Sequence, residues 1–172
     1  MRESTDGERA WSKEELKEVV ISIVVVFLIP LLFIKGLGLI LGTPTPLVSV
    51  ISHSMDPTFT RGDMLILKGV DPKEIEIGDI VVYDRPGSKY PIVHRVIERK
   101  EYAGKVYIIT KGDNNYYPDT GWVRIPGSNP EYWIPAEAVR GKVIAIVPKL
   151  GYPSILFREK IVRSVKEALG YG

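Results

Sequence analysis

Residues 91–97 read Pro-Ile-Val-His-Arg-Val-Ile. In an extended chain successive side chains alternate between faces, so Ile92, His94 and Val96 share one side and Val93, Arg95 and Ile97 the other. This reads as a β-type run, over Ile92–Glu98. Similar short runs lie on either side: Leu47–Ile51, Met64–Leu67, Ile80–Tyr83, Val106–Thr110 and Val143–Val147. Turn residues separate them. Arg61-Gly-Asp63 and Ile77-Gly-Asp79 lead into strands, and Ala103-Gly104 predicts a hairpin turn. No helical period of useful length occurs between residues 45 and 150, so this part of the chain is expected to be mainly β.

Two segments break the pattern. Asn114–Glu131 is rich in Tyr, Pro, Gly and Asn and is expected to form a long surface loop. Its surroundings include Tyr116, Tyr117, Trp122 and Trp133, aromatic residues suited to a cleft or a membrane surface. From Ser154 to Leu169, Ile155, Leu156, Ile161, Val162, Val165 and Leu169 fall near one helical face, opposite Arg158, Lys160, Arg163 and Lys166. This predicts a short C-terminal amphipathic helix, packed on the domain or lying on a membrane surface.

Val19–Leu41 is apolar apart from Lys35. As a helix it would extend about 34 Å, enough for a hydrocarbon core of about 30 Å. Pro30, Gly36 and Gly38 are tolerated in membrane spans. The run is longer than a secretory leader requires and no Ala-x-Ala site follows it, so an uncleaved anchor is expected. Residues 1–18 hold Arg2, Arg9, Lys13 and Lys17, whereas residues 42–60 hold no Lys or Arg. The positive-inside rule then places the N-terminus in the cytoplasm. The expected organisation is a cytoplasmic tail (1–18), a transmembrane helix (19–41), an extracytoplasmic β-rich domain (42–153) and a C-terminal amphipathic helix (154–172). The expected location is the cell membrane, crossed once.

Composition narrows the chemistry. The 172 residues include 23 Lys+Arg and 21 Asp+Glu, a formal charge of +2 without a basic run, which argues against a nucleic-acid partner. The absence of Cys excludes disulfides, thiolate-bound zinc and thiol catalysis. Only His53 and His94 are present, without carboxylates at metal-ligand spacing, so neither a metal nor another cofactor is expected.

Ser52-His-Ser-Met-Asp-Pro57 places a serine, Ser54, between a predicted strand and a proline-stiffened turn. A serine hydroxyl needs a base to take its proton. His94, on the 92–98 strand, is one candidate. His53 is another, but it adjoins Ser54 and should point away from it. A third reading uses Lys111 in a Ser/Lys dyad, which requires a buried neutral amine. Thr110-Lys-Gly-Asp-Asn-Asn-Tyr-Tyr-Pro-Asp119 supplies two carboxylates, Asp113 and Asp119, either of which would fix a histidine's tautomer and stabilise its charged form.

These segments together resemble type I signal peptidases, in the branch of archaea and of the catalytic subunit of the endoplasmic-reticulum complex. The resemblance rests on Ser54-Met-x-Pro57 with Arg61-Gly-Asp63, on Gly78-Asp-Ile-Val-Val82, on Ile92-Val-His-Arg-Val-Ile97, on Thr110-Lys-Gly-Asp-Asn-Asn115 with Asp119, and on Gly141-Lys-Val143 and Val147-Pro148. It covers about residues 15–153 and implies a signal-peptidase-like coiled β-sheet. Ser54 would be the nucleophile and His94 the base, where the usual bacterial enzymes have lysine. Asp119 would back His94 and Asp113 would organise the site locally, with the reverse left open. Ser52 and the Ser54 amide would form the oxyanion hole. The implied substrates are secretory preproteins cut after small residues, with the lipid bilayer and the protein translocation channel as neighbours. About twelve residues separate the expected span from Ser54, a reach of about 40 Å at most, which keeps the nucleophile near the membrane surface.

Overall fold

The computed structural model describes residues 11–169. The first ten residues of the expected tail, with Arg2 and Arg9, lie outside the described residues, as do residues 170–172 of the expected C-terminal helix. The chain forms two compact units, divided between Leu37 and Gly38.

Helix α1, Lys13–Leu41, makes up all but Trp11 and Ser12 of the described part of the first unit. It starts ahead of Val19 because Ser12 and Glu15 form a capping box. The Glu15 amide donates to Ser12 Oγ at 3.2 Å, and the Ser12 amide donates to the Glu15 carboxylate at 2.9 Å. None of its residues is buried, and Val20, Phe27, Leu32 and Phe33 are exposed on different sides. A helix apolar all round suits lipid rather than water, and α1 is long and apolar enough to cross a membrane.

The second unit is mainly β, as expected. In chain order its strands are β1 (Leu47–Ser49), β2 (Met64–Lys68), β3 (Ile80–Tyr83), β4 (Ile92–Tyr102), β5 (Lys105–Lys111), β6 (Val123–Arg124), β7 (Tyr132–Pro135) and β8 (Val139–Val147). They form an antiparallel sheet in the order β1-β2-β8-β3-β4-β5-β7-β6. Ala103 and Gly104 both have positive φ, which gives the two-residue turn that joins β4 to β5.

The sheet is covered on both sides. Val81, Tyr83, Val96, Ile108 and Ile134 fill one core, while Val50, Met55, Phe59, Leu65, Leu67 and Val82 fill another. The adjacent residues Tyr83 and Val82 belong to different cores, as alternation requires. A bulge between Val96 and Glu98 then shifts the β4–β5 register. β4 outlasts its apolar stretch because Arg99–Tyr102 stays paired with Lys105–Ile108 of β5, although its own side chains are mostly exposed and charged and so carry little hydrophobic signal.

The Asn114–Glu131 segment departs from the expected surface loop. Tyr116 and Tyr117 are exposed, but Ile125 is buried beside Trp133, and Val123–Arg124 pairs with Trp133 and Tyr132. Trp133 Nε1 donates to the Pro130 carbonyl at 2.7 Å, which ties the end of the segment down.

Helix α2, Tyr152–Ala168, begins just ahead of the expected start. It touches the domain through buried Ile155, a 2.7 Å hydroxyl contact between Ser154 and Ser49, an Arg61–Glu159 ion pair, and Arg158 lying 4.2 Å over the Tyr90 ring. Leu156, Phe157, Ile161 and Val165 remain exposed.

Candidate active site

Ser54 lies in the long turn between β1 and β2, beyond the end of its strand. Two features hold that turn. Val50 and Gly62 close its base, with Val50 N donating to the Asp63 carbonyl at 2.9 Å and Gly62 N to the Val50 carbonyl at 3.0 Å. The buried side chains of Met55 and Phe59 pin its interior. His53 does turn away from Ser54, but through turn geometry rather than strand alternation. Its Nδ1 lies 3.1 Å from Asp56 Oδ2 and 3.2 Å from Thr60 Oγ1.

The base candidate approaches from the sheet. His94 is opposite Val81 in the β3–β4 ladder and is 7% exposed. Its Nε2 lies 3.0 Å from Ser54 Oγ, and its Nδ1 lies 2.5 Å from Asp119 Oδ2. Asp119 sits beyond β5, where its amide donates to the Thr110 carbonyl at 2.8 Å. A carboxylate on Nδ1 keeps the proton there and leaves the Nε2 lone pair facing the serine. Burial would lift the Asp119 carboxyl, but hydrogen bonds from His94, Thr110 and Tyr83 outweigh it and hold it below its ordinary value.

Asp113 is engaged elsewhere. Arg95 grips it with both ends of the guanidinium, Nε to Oδ1 at 2.9 Å and Nη2 to Oδ2 at 2.7 Å. Thr58, from the nucleophile's turn, donates to Oδ2 at 2.5 Å. The Arg95 bond chiefly, with the Thr58 bond behind it, holds the Asp113 carboxyl below its ordinary value against partial burial.

The segment after β5 also grips the nucleophile's main chain. Asn114 N donates to the Ser54 carbonyl at 2.9 Å and Asn114 Nδ2 to the His53 carbonyl at 3.1 Å. Ser52 Oγ is 3.2 Å from Ser54 Oγ, on the exposed side of the turn. Lys111 follows Thr110 on β5 and so faces the other side of that strand.

Ser54 and His94 open onto a groove of about 1190 Å³. Leu47, Val50, Met55, Ile92 and Val93 give it an apolar wall, and α2 lines another side.

The structure thus brings Ser54, His94, Asp119 and Ser52 together, and places Asp113 on Arg95 and Thr58. Sequence reasoning passed over Arg95, Asn114, Gly112, Thr110 and Tyr83. Gly112 to Asn114 lay inside the quoted motif, where only the carboxylate drew attention. Tyr83 ended an apolar strand, so its hydroxyl gave little signal.

Comparison with known proteins places the chain in a family. The signal peptidase, peptidase S26 family matches residues 16–99. The signal peptidase complex catalytic subunit SEC11 of Scheffersomyces stipitis is 40% identical over 141 residues, covering 82% of each chain. The SEC11 subunit of Komagataella phaffii is 41% identical over 133 residues, covering 74% of this chain and 75% of the relative. That of Schizophyllum commune is 38% identical over 141 residues, covering 73% and 71%. With an S26 match that takes in both Ser54 and His94, and SEC11 similarity over most of its length, this chain belongs to the peptidase S26 family of signal peptidases.

Proposed function

We propose that this protein removes signal peptides from secretory preproteins as a membrane-bound serine endopeptidase, with Ser54 as nucleophile, His94 as general base and Asp119 as the carboxylate that orients His94. Ser54 Oγ attacks the scissile carbonyl and passes its proton to His94 Nε2. Asp119 steadies the imidazolium, which then protonates the leaving amine. Water, activated by the same histidine, releases the acyl group from Ser54. Ser52 Oγ and the Ser54 amide receive the developing oxyanion, each worth about 2–4 kcal/mol of barrier. Asp113 organises the nucleophile's turn. The observation that carries this reading is the chain of contacts Ser54–His94–Asp119, at 3.0 and 2.5 Å.

The substrate bond follows a small residue, with another small residue two positions upstream. The apolar wall of the groove supports an extended backbone there. We assign α1 as the single membrane anchor, with the N-terminus cytoplasmic and the catalytic domain extracytoplasmic. The matched SEC11 relatives are named as catalytic subunits of a signal peptidase complex. By that similarity, secretory preproteins and partner subunits are the expected company of this chain, and we add the translocation channel as a neighbour at the membrane.

The test is cleavage of a preprotein carrying Ala at both small-residue positions by the full chain in detergent, with the new N-terminus read by mass spectrometry. Cleavage at that bond that disappears in Ser54→Ala is expected. Unchanged cleavage by Ser54→Ala overturns the assignment.

A further inference from the structure

Asp119 Oδ2 is a crowded oxygen. Besides His94 Nδ1 at 2.5 Å, it accepts Thr110 Oγ1 at 2.6 Å and Tyr83 OH at 3.1 Å. The two hydroxyls are themselves 3.1 Å apart, and both residues are fully buried. Thr110 also accepts the Asp119 amide at its carbonyl, so it holds Asp119 by main chain and side chain together. Neither hydroxyl lines the substrate groove.

Two core hydroxyls that merely satisfied each other would need only their mutual contact. Here each also reaches the same carboxylate oxygen. A charged acceptor competes better than a neutral hydroxyl for a proton. Each hydroxyl has one proton, and the short Thr110 bond directs the threonine's proton to Asp119. Burial pushes the Tyr83 phenol well above its ordinary value, so it stays protonated and can donate. The Tyr83 ring stacks on Trp122 with centroids 6.3 Å apart, which fixes the direction of its hydroxyl.

We propose that Tyr83 and Thr110 are positioning residues of the triad: their hydroxyls keep Asp119 ionised and aimed at His94, and by sharing its Oδ2 they limit how tightly it holds the His94 proton, a role that rests on His94 being the base. A carboxylate free of these donors would concentrate its charge on the imidazolium. His94 would then remain protonated over more of the working range and release its proton to the leaving amine more slowly. The other groups around this network are Asp113, whose charge acts on His94 but is matched by Arg95, and Arg85, whose charge acts on Tyr83. Ser54 closes the network at Nε2.

The chain's two histidines, His53 and His94, make the test direct. Imidazole ¹⁵N titration of the full chain in detergent follows both, with His53 as internal reference. Tyr83→Phe removes the hydroxyl and keeps the ring. The expected result is that the His94 midpoint and the acid limb of kcat/KM both move to higher pH, by about half a unit, while His53 stays in place. Thr110→Val should move them the same way and Thr110→Ser should restore them. A purely structural role would lower thermal stability and leave both readouts unmoved. No movement, or a downward one, in Tyr83→Phe overturns the proposal even if Thr110→Val fails to fold. If the wild-type acid limb does not follow the His94 titration, the assignment of His94 as base has failed, and the NMR midpoints still decide whether the two hydroxyls temper Asp119.

Discussion

The amide of Asn114 donates to the carbonyl of Ser54 at 2.9 Å, so the segment after β5 fixes the nucleophile's main chain directly. Gly112, two residues earlier, lets that segment come close. A Cβ at position 112 would lie 2.5 Å from the Ser54 carbonyl oxygen and 2.8 Å from His94 Nε2. Neither a backbone oxygen nor a triad nitrogen can withdraw without changing the site.

Gly112→Ala should therefore keep the fold and lose activity. Displacing a reacting group by about 1 Å costs on the order of 100-fold, and kcat on a preprotein is expected to fall by at least that much with the circular dichroism spectrum unchanged. Activity above half of wild type would show that the site accommodates the methyl group.

The nucleophile and the base should act as one unit. Ser54→Ala and His94→Ala are each expected to lower kcat by about 10³-fold or more, and the double variant should be little worse than either alone, because removing one partner already idles the other. Lys111→Ala is expected within about threefold of wild type, since Lys111 faces away from the Thr110 side of β5. Steady-state kinetics on all four proteins decide this. An active His94→Ala beside an inactive Lys111→Ala would reverse the choice of base.

Much of this architecture was legible in the chain. Ile80–Tyr83 matched its strand at both ends because it is apolar throughout and bounded by Gly78-Asp79 and Asp84. Val123–Arg124 and Tyr132–Pro135 were not legible. They are short and sit in a Tyr-, Pro- and Gly-rich context, and they hold together by pairing with each other and by burying Ile125 against Trp133. Local pattern carries no record of such a contact. At the site, Ser54, His94 and the two carboxylates were visible by residue type and order. The duties of Asp119 and Asp113 were divided only through the family resemblance, with the reverse open, because what divides them physically is Arg95, whose strand position aims it at Asp113 and away from His94's face.

Acid should weaken the fold through Asp113. Its carboxyl titrates lower in the folded chain than in the unfolded one, where the ordinary value is about 3.9. The stability it contributes is therefore fully present above about pH 4 and is lost as pH falls through the lower folded value. Solvent reaches the pair, with 34% of the Arg95 and 19% of the Asp113 side chain exposed, so about 1 kcal/mol is expected. Denaturant unfolding of wild type and Asp113→Asn at pH 7 and at pH 3 measures it. The gap between the two should be clear at pH 7 and narrower at pH 3, as Asp113 begins to take up its proton. An equal gap at both values would count against a depressed Asp113.

Arg95 links the base's strand to the nucleophile's turn. It neighbours His94 on β4 but points to the other face, where it holds Asp113, and Asp113 accepts Thr58 from the turn that carries Ser54. Arg95 Nη1 also donates to the Gly78 carbonyl at 3.0 Å, so the guanidinium is braced on a third side. A lysine keeps the charge but cannot reproduce two parallel bonds to a carboxylate and a further one to a carbonyl. Arg95→Lys should then loosen the Ser54 turn without touching the groove. The expected signature is a fall in kcat of about tenfold with KM within about twofold, because the defect lies in presenting the nucleophile rather than in binding the peptide. A rise in KM at unchanged kcat would place Arg95 in substrate binding instead.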